Sequence, residues 1–220
     1  LKIHPCKIFF PALAISGILL AGNVVSKQAI FPLITQVHAS EATYSDNQLK
    51  EWLRSTGNEM VAIVNANYSK TEQKEKFLPI LNKYVDVDGI AKFCLGRFWR
   101  VATSDQQQEY TQLFHQVLVN SITNRLGEYK GVSFTIGEIT STEGNKKSIQ
   151  TTLKRPKQPD VVIQWIIEIK NGSPMVVDII GENASLAVTQ RGDYTSFIAR
   201  HQNDVSALIA ALKRQLQNHS

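Results

Sequence analysis

Between Asp86 and Gln108 the chain reads DVDGIAKFCLGRFWRVATSDQQQ, and Arg97-Phe98-Trp99-Arg100 sets two guanidinium groups around two aromatic rings. Arginine offers a planar fork of donors that matches a phosphodiester, so this turn suits the mouth of a pocket holding a phosphate group. The same arginines also suit a structural role, pairing with Asp86, Asp88 or Asp105 while the rings pack. Residue types leave both readings open.

Other chemistry finds less support. His115, His201 and His219 are scattered, and no HxxxH, CxxC or EF-hand spacing occurs, so no metal or other cofactor is expected. Glycine-rich nucleotide loops and a Gly-x-Ser-x-Gly elbow are also missing. One enzymatic scheme survives, in which a curved sheet closed by helices holds an inward carboxylate as a proton-transfer base. Asp178 and Glu138 are its candidates. Asp178 alternates with Val177 and Ile179, however, which puts it opposite the apolar face as a solvated or ion-paired strand carboxylate. No catalytic residue is assigned. Cys94 is left alone once Cys6 is set aside with the leader, and its apolar context reads as a small inert hydrophobe.

The leader is the expectation for residues 1–39, which carry Lys2, Lys7 and Lys27 but no acid, with the apolar run Ile8 to Ala21 behind a basic start. That run falls short of the roughly 18 residues that span a bilayer. Val37-His38-Ala39 fits a signal-peptidase site and places the mature start near Ser40. Leu20-Ala21-Gly22 runs into Asn23 rather than Cys, against a lipoprotein anchor. Three of the 24 basic residues belong to the leader, leaving 21 against 19 acidic ones, so nucleic acid is not an expected partner. Residues 40–220 suffice for a single domain with a sizeable core.

The elements that must position the turn follow from periodicity. Asp46 is expected to cap an amphipathic helix through Leu49, Trp52, Leu53, Met60, Ile63 and Val64, ending near Tyr68. Thr71 precedes a second helix, in which Pro79 should start a turn or kink. A third runs from Val87 to Leu95 and stops at Gly96. Thr103 and Gln106 form a capping box for the longest helix, from Ser104 to about Tyr129.

From Val132 the period becomes two. Four strands joined by short turns predict an antiparallel meander, the third carrying Val161, Ile163, Trp165, Ile167 and Ile169 on one apolar face. Asn171-Gly172 is a hairpin turn. Ser185 to Gln217 returns to helix, broken near Asn203. The fold class is α+β: a four-stranded twisted antiparallel sheet wrapped by about six or seven helices. The third strand's aliphatic face and the stripe Phe114, Val117 and Ile122 suit either an ordinary core or a cavity for acyl chains, which use the same residue types.

At the aromatic turn the chain resembles the MlaC family of toluene-tolerance, or auxiliary phospholipid-transport, proteins. The family's pattern is met by Asp86, Ile90-Ala91, Leu95-Gly96, Arg97-Phe98-Trp99-Arg100, Ala102-Thr103 and Gln106 to Glu109, and further on by Tyr129-Lys130-Gly131, Ser185-Leu186 and Arg191. Asn183-Ala184 departs from the usual Gly-Val, and Gln190 from the usual Tyr. The resemblance implies a non-enzymatic periplasmic carrier that shuttles phospholipid between an outer-membrane lipoprotein complex and an inner-membrane ABC transporter with an MCE-domain ring. It also implies an apolar cavity between sheet and helices. Taken with the faces above, the expected lining is Phe93, Leu95, Phe98, Trp99, Phe114, Val117, Leu118, Ile122, Phe134, Ile163, Trp165 and Ile167, with Arg97 and Arg100 at the mouth or supporting it. The related HpnM proteins, associated with hopanoids, share the domain and leave a polycyclic lipid as the alternative cargo.

Overall fold

A computed structural model describes residues 44–218, so the expected leader, its cleavage site and His219 lie outside the described residues. Helix α1 (Asp46–Asn65) is capped by Ser45 rather than Asp46 and ends before the expected Tyr68: the Ser45 Oγ accepts the Gln48 amide, while Gln48 Oε1 accepts the Ser45 amide at 2.9 Å. Ser69 and Glu72 repeat that box for α2 (Lys70–Tyr84), which therefore begins before Thr71. Pro79 lies inside α2 without ending it. Asp86 caps α3 (Val87–Leu95), and Gly96, at φ +60°, ends it. Gly96–Arg100 then forms a 3-10 turn that carries the arginine-aromatic motif.

Helix α4 (Ser104–Thr123) starts at the Thr103–Gln106 box but stops short of the expected Tyr129. Thr123 Oγ1 turns back to the Val119 carbonyl at 2.9 Å, and Asn124 and Gly127 follow, all poor helix continuers. A 3-10 turn over Leu126–Tyr129 takes the chain into the sheet.

The sheet has five antiparallel strands rather than four, in the order β1 (Ser133–Ser141), β2 (Lys147–Lys154), β3 (Val161–Lys170), β4 (Ser173–Gly181), β5 (Ala184–Ser185). Strand β5 is only two residues long, too short to show a period. It is folded back by Glu182 and Asn183 at φ +51° and +64°, the left-handed pair of a tight hairpin. Asn171 and Gly172 turn β3 into β4 in the same way. One bulge interrupts β1 between Ile136 and Ile139, and another inserts Val177 into β4, so β3 keeps its alternation intact. Helices α5 (Leu186–Arg200) and α6 (Val205–Gln217) are separated by Gln202 and Asn203, both at positive φ. Among the described residues, six α-helices and one antiparallel sheet make the α+β arrangement expected.

Three apolar clusters hold these elements. The largest joins α3, the arginine-bearing 3-10 turn, α4, α5 and α6 around Ala91, Leu95, Phe98, Tyr110, Phe114, Ile198 and Leu208. A second packs α1, α2 and the end of α4 around Phe77, Leu81 and Val119. The third lays Leu49 and Leu53 of α1 on Ile149 and Ile167 of the sheet. No helix among the described residues is long and apolar enough to cross a membrane.

Candidate functional site

The sheet face toward α1 is built by register. Ile149 stands opposite Trp165, Thr151 opposite Ile163, and Trp165 opposite Ile179. Helix α1 covers one end of this face through Leu49 and Leu53, leaving Ile149 and Ile167 fully buried. Further along, Ile163 and Ile179 are half-buried and belong to none of the three clusters. Trp165 joins the two regions: its ring packs toward the α1 cluster and its Nε1 donates to Thr151 Oγ1 at 2.8 Å. The result is a strip of aliphatic surface on β3 and β4 with a tryptophan at its border.

The expected lining residues divide among separate places. Leu95, Phe98, Phe114 and Val117 are buried together in the helical cluster, with Trp99 and Leu118 half-buried against it. Ile122 packs half-buried on the second cluster. Phe134 is half-buried on β1, its ring so close to α1 that a Cβ on Gly57 would lie 2.5 Å from it. Ile163, Trp165 and Ile167 share the sheet face. Phe93 is 40% exposed beneath the Arg191 guanidinium, 4.8 Å from its ring centre.

Arg97 and Arg100 are exposed, and neither makes an ion pair among the described residues. The aspartates considered as their partners are engaged elsewhere or remain apart. Asp86 caps Gly89 at 3.0 Å and binds Lys170, while Asp88 meets His115 Nε2 at 2.7 Å. Arg97 instead lies 4.9 Å from the Phe98 ring centre and Lys92 5.7 Å from that of Trp99. The Trp99 carbonyl accepts Gln107 Nε2 at 2.7 Å, which ties the turn to α4.

Asp178 is part-buried and makes no ion pair among the described residues. One carboxylate oxygen accepts the amides of Ile179 at 2.8 Å and Ala187 at 3.0 Å, and the other accepts the Ser185 hydroxyl. It locks β5 and the start of α5 onto β4, a role for which the sequence offers only Ser185 ahead of a helical pattern. A carboxylate so occupied has little freedom to take a proton from a substrate. Glu138 is exposed on β1.

Burial governs the remaining ionisable groups. It pushes the Cys94 thiol up to about 12, with the Asp178 charge adding to the effect, and the sulfur donates weakly to the Ala187 carbonyl at 3.6 Å. Burial also holds the Tyr110 phenol well above its ordinary range, and its hydroxyl donates to the Ala91 carbonyl at 2.9 Å. Among the described residues no group of three or more metal-ligating side chains comes together. Two open hollows lie away from the sheet face. One, of about 420 Å³, is bounded by Asn67, Tyr68, Lys70 and Lys130, and the other, of about 350 Å³, by Asp88, Gln112 and His115.

The profile of the MlaC protein family matches residues 54–214, from the first helix to the last. The chain belongs to the MlaC family. A toluene tolerance protein, ttg2D, of Pseudomonas putida is 24% identical over 131 residues, covering 59% of this chain and 61% of that protein. The aligned region thus spans under two thirds of that relative's length. The MlaC fold here is similar to that of a phospholipid-binding protein from Ralstonia solanacearum, solved in complex with a phospholipid. The TM-score is 0.68 at 15% identity, over 77% of this chain and 97% of that one.

Proposed function

We propose that this MlaC protein carries phospholipid through the periplasm, shuttling it between an outer-membrane lipoprotein complex and an inner-membrane MCE-domain ABC transporter. An N-terminal signal in residues 1–39 would deliver it there, and the activity is binding and release without covalent chemistry. The observation that carries this reading is the aliphatic strip at Ile163 and Ile179, half-covered beside Trp165 in a fold shared with a phospholipid-bound protein.

Each CH₂ removed from water contributes about 0.8 kcal/mol, so taking two acyl chains of ordinary length wholly out of water is worth on the order of 25 kcal/mol. That gain explains why lipid needs a carrier to cross an aqueous space at all. Leu95, Phe98, Phe114 and Val117 are packed on one another, so they join the lining only if the helices of that cluster part from one another. Loading that uses these residues therefore couples to a displacement of the helices, and release reverses it at a partner.

The test is mass spectrometry of the purified protein before and after solvent extraction, with Ile163→Asp and Trp165→Arg in parallel. Stoichiometric phospholipid in the wild type, lost in both folded variants, supports carriage. A hopanoid in the extract reassigns the cargo, and a wild type that carries no lipid and takes up none when it is added overturns the reading.

A further inference from the structure

The arginine-aromatic turn forms part of a surface that the sheet face does not need. Gly96–Arg100 is a 3-10 helix, in which residues three apart eclipse, so Arg97 and Arg100 project from one side while Phe98 is buried on the other. Arg191 of α5 reaches the same place: its guanidinium covers Phe93, and its Nε lies 3.2 Å from where a Cβ on Gly96 would stand. One helical step before Arg191, on the same face of α5, Val188 is 58% exposed; directly after Arg100, Val101 is 71% exposed. Lys92 stands over Trp99 on the neighbouring side of the turn.

Lys92, Arg97, Arg100 and Arg191 thus stand on α3, the 3-10 turn and α5, the same elements that expose Phe93 and Val188 and run into Val101, and none of the four has an acidic partner among the described residues. We infer that this face docks the protein onto the surface of an anionic phospholipid bilayer. The inference deepens the carrier reading and rests on it for its purpose, since a carrier that rests on its donor or acceptor leaflet shortens the path of its cargo.

The choice of a bilayer follows from the mixture of groups. An acidic protein surface would neutralise the cations but leave two widely exposed valines against polar atoms. The headgroup boundary of a membrane offers phosphates and acyl carbons within one side chain's reach, where arginine stems and aliphatic tips insert together. Each cation near an anionic leaflet contributes about 1 kcal/mol, and the attraction fades as salt shortens the Debye length.

Vesicle flotation tests this with the purified protein, using phosphatidylcholine vesicles with and without phosphatidylglycerol at low and high salt. Wild type is expected on the anionic vesicles, at least about tenfold above the neutral ones, with binding that weakens as salt rises. Arg191→Gln should weaken it roughly fivefold, and Val101→Asp with Val188→Asp further still. All of these positions are exposed, so melting temperature and extracted cargo are expected to stay at wild-type values. A wild type indifferent to headgroup charge overturns the inference, as do variants that float like the wild type. Cargo occupancy is read separately: a lipid-free protein that still floats selectively on anionic vesicles sinks carriage and upholds the docking surface.

Discussion

Asp178 and Ser185 close the junction between β4, β5 and α5, the serine hydroxyl donating to one carboxylate oxygen while two backbone amides donate to the other. Ser185 in turn caps α5 by accepting the Val188 amide at 3.0 Å. One aspartate therefore accepts from three donors. Asp178→Ala should cost about 3 kcal/mol in urea unfolding, since each abandoned donor in a part-buried site loses on the order of 1 kcal/mol. Ser185→Ala should cost about 1 kcal/mol, the ordinary loss of a helix cap. An Asp178→Ala protein as stable as wild type would remove the carboxylate's structural role and restore it as a candidate base.

Thr56 makes the opposite case. Its side chain is 2% exposed on α1, and its hydroxyl has no hydrogen-bond partner among the described residues. Thr111 and Thr123 on α4 both turn back to the carbonyl four residues earlier, at 2.8 and 2.9 Å. Replacing a buried, unpaired hydroxyl by a methyl of similar shape removes a desolvation penalty. Thr56→Val is therefore expected to raise stability by about 1 kcal/mol, read as a higher urea midpoint at unchanged slope. A lower midpoint would show that the hydroxyl has a partner in solution.

The helix and strand periods, the box at Thr103, the glycine stop at Gly96 and the Asn171-Gly172 hairpin were legible because each is a local rule. What escaped is non-local or too short to have a period. The two residues of β5 pair only because Asp178 and the Glu182-Asn183 turn fold them back. The arginine-aromatic turn was legible as a cluster of residue types, but its electrostatics were not. Asp86 and Asp88 are claimed by Lys170 and His115, which lie 84 and 27 residues further along the chain. Similarly, periodicity identified the faces carrying Leu95, Phe114 and Trp165, yet nothing in a single face says which other element it meets. The helical residues meet one another, and Trp165 meets Thr151 and the α1 cluster.

Alkaline pH should destabilise the fold. Burial raises the Cys94 thiol from 9.0 to about 12 and lifts the phenols of Tyr110 and Tyr194 above their ordinary 10.0. Above about pH 9 the unfolded chain releases these protons while the native one keeps them, so the unfolded state binds fewer and stability falls as pH rises. Lys170 acts in the same sense: its hydrogen bond to Asp86 raises its pKa, a contribution held below the ordinary lysine range and lost above it. Each fully buried group adds a slope of about 1.4 kcal/mol per pH unit once its unfolded form titrates. Urea midpoints should decline steadily from pH 8 to pH 11, and Tyr110→Phe should flatten the decline. A flat profile would mean that these groups are hydrated in the native state.

Cys94 should be inert to thiol reagents in the native protein. It is 0% exposed, and at pH 8 only a minute fraction is thiolate, the form that reacts. Labelling with a disulfide reagent should then follow opening of the helical cluster rather than reagent concentration. This makes the residue a reporter of that opening, because its neighbours Leu95 and Phe98 belong to the same buried cluster. Vesicles or a lipid-loading partner should speed the labelling if loading displaces these helices. Rates that stay unchanged under loading conditions would place the cargo wholly on the sheet side, along Ile163 and Ile179, with the helical core closed throughout.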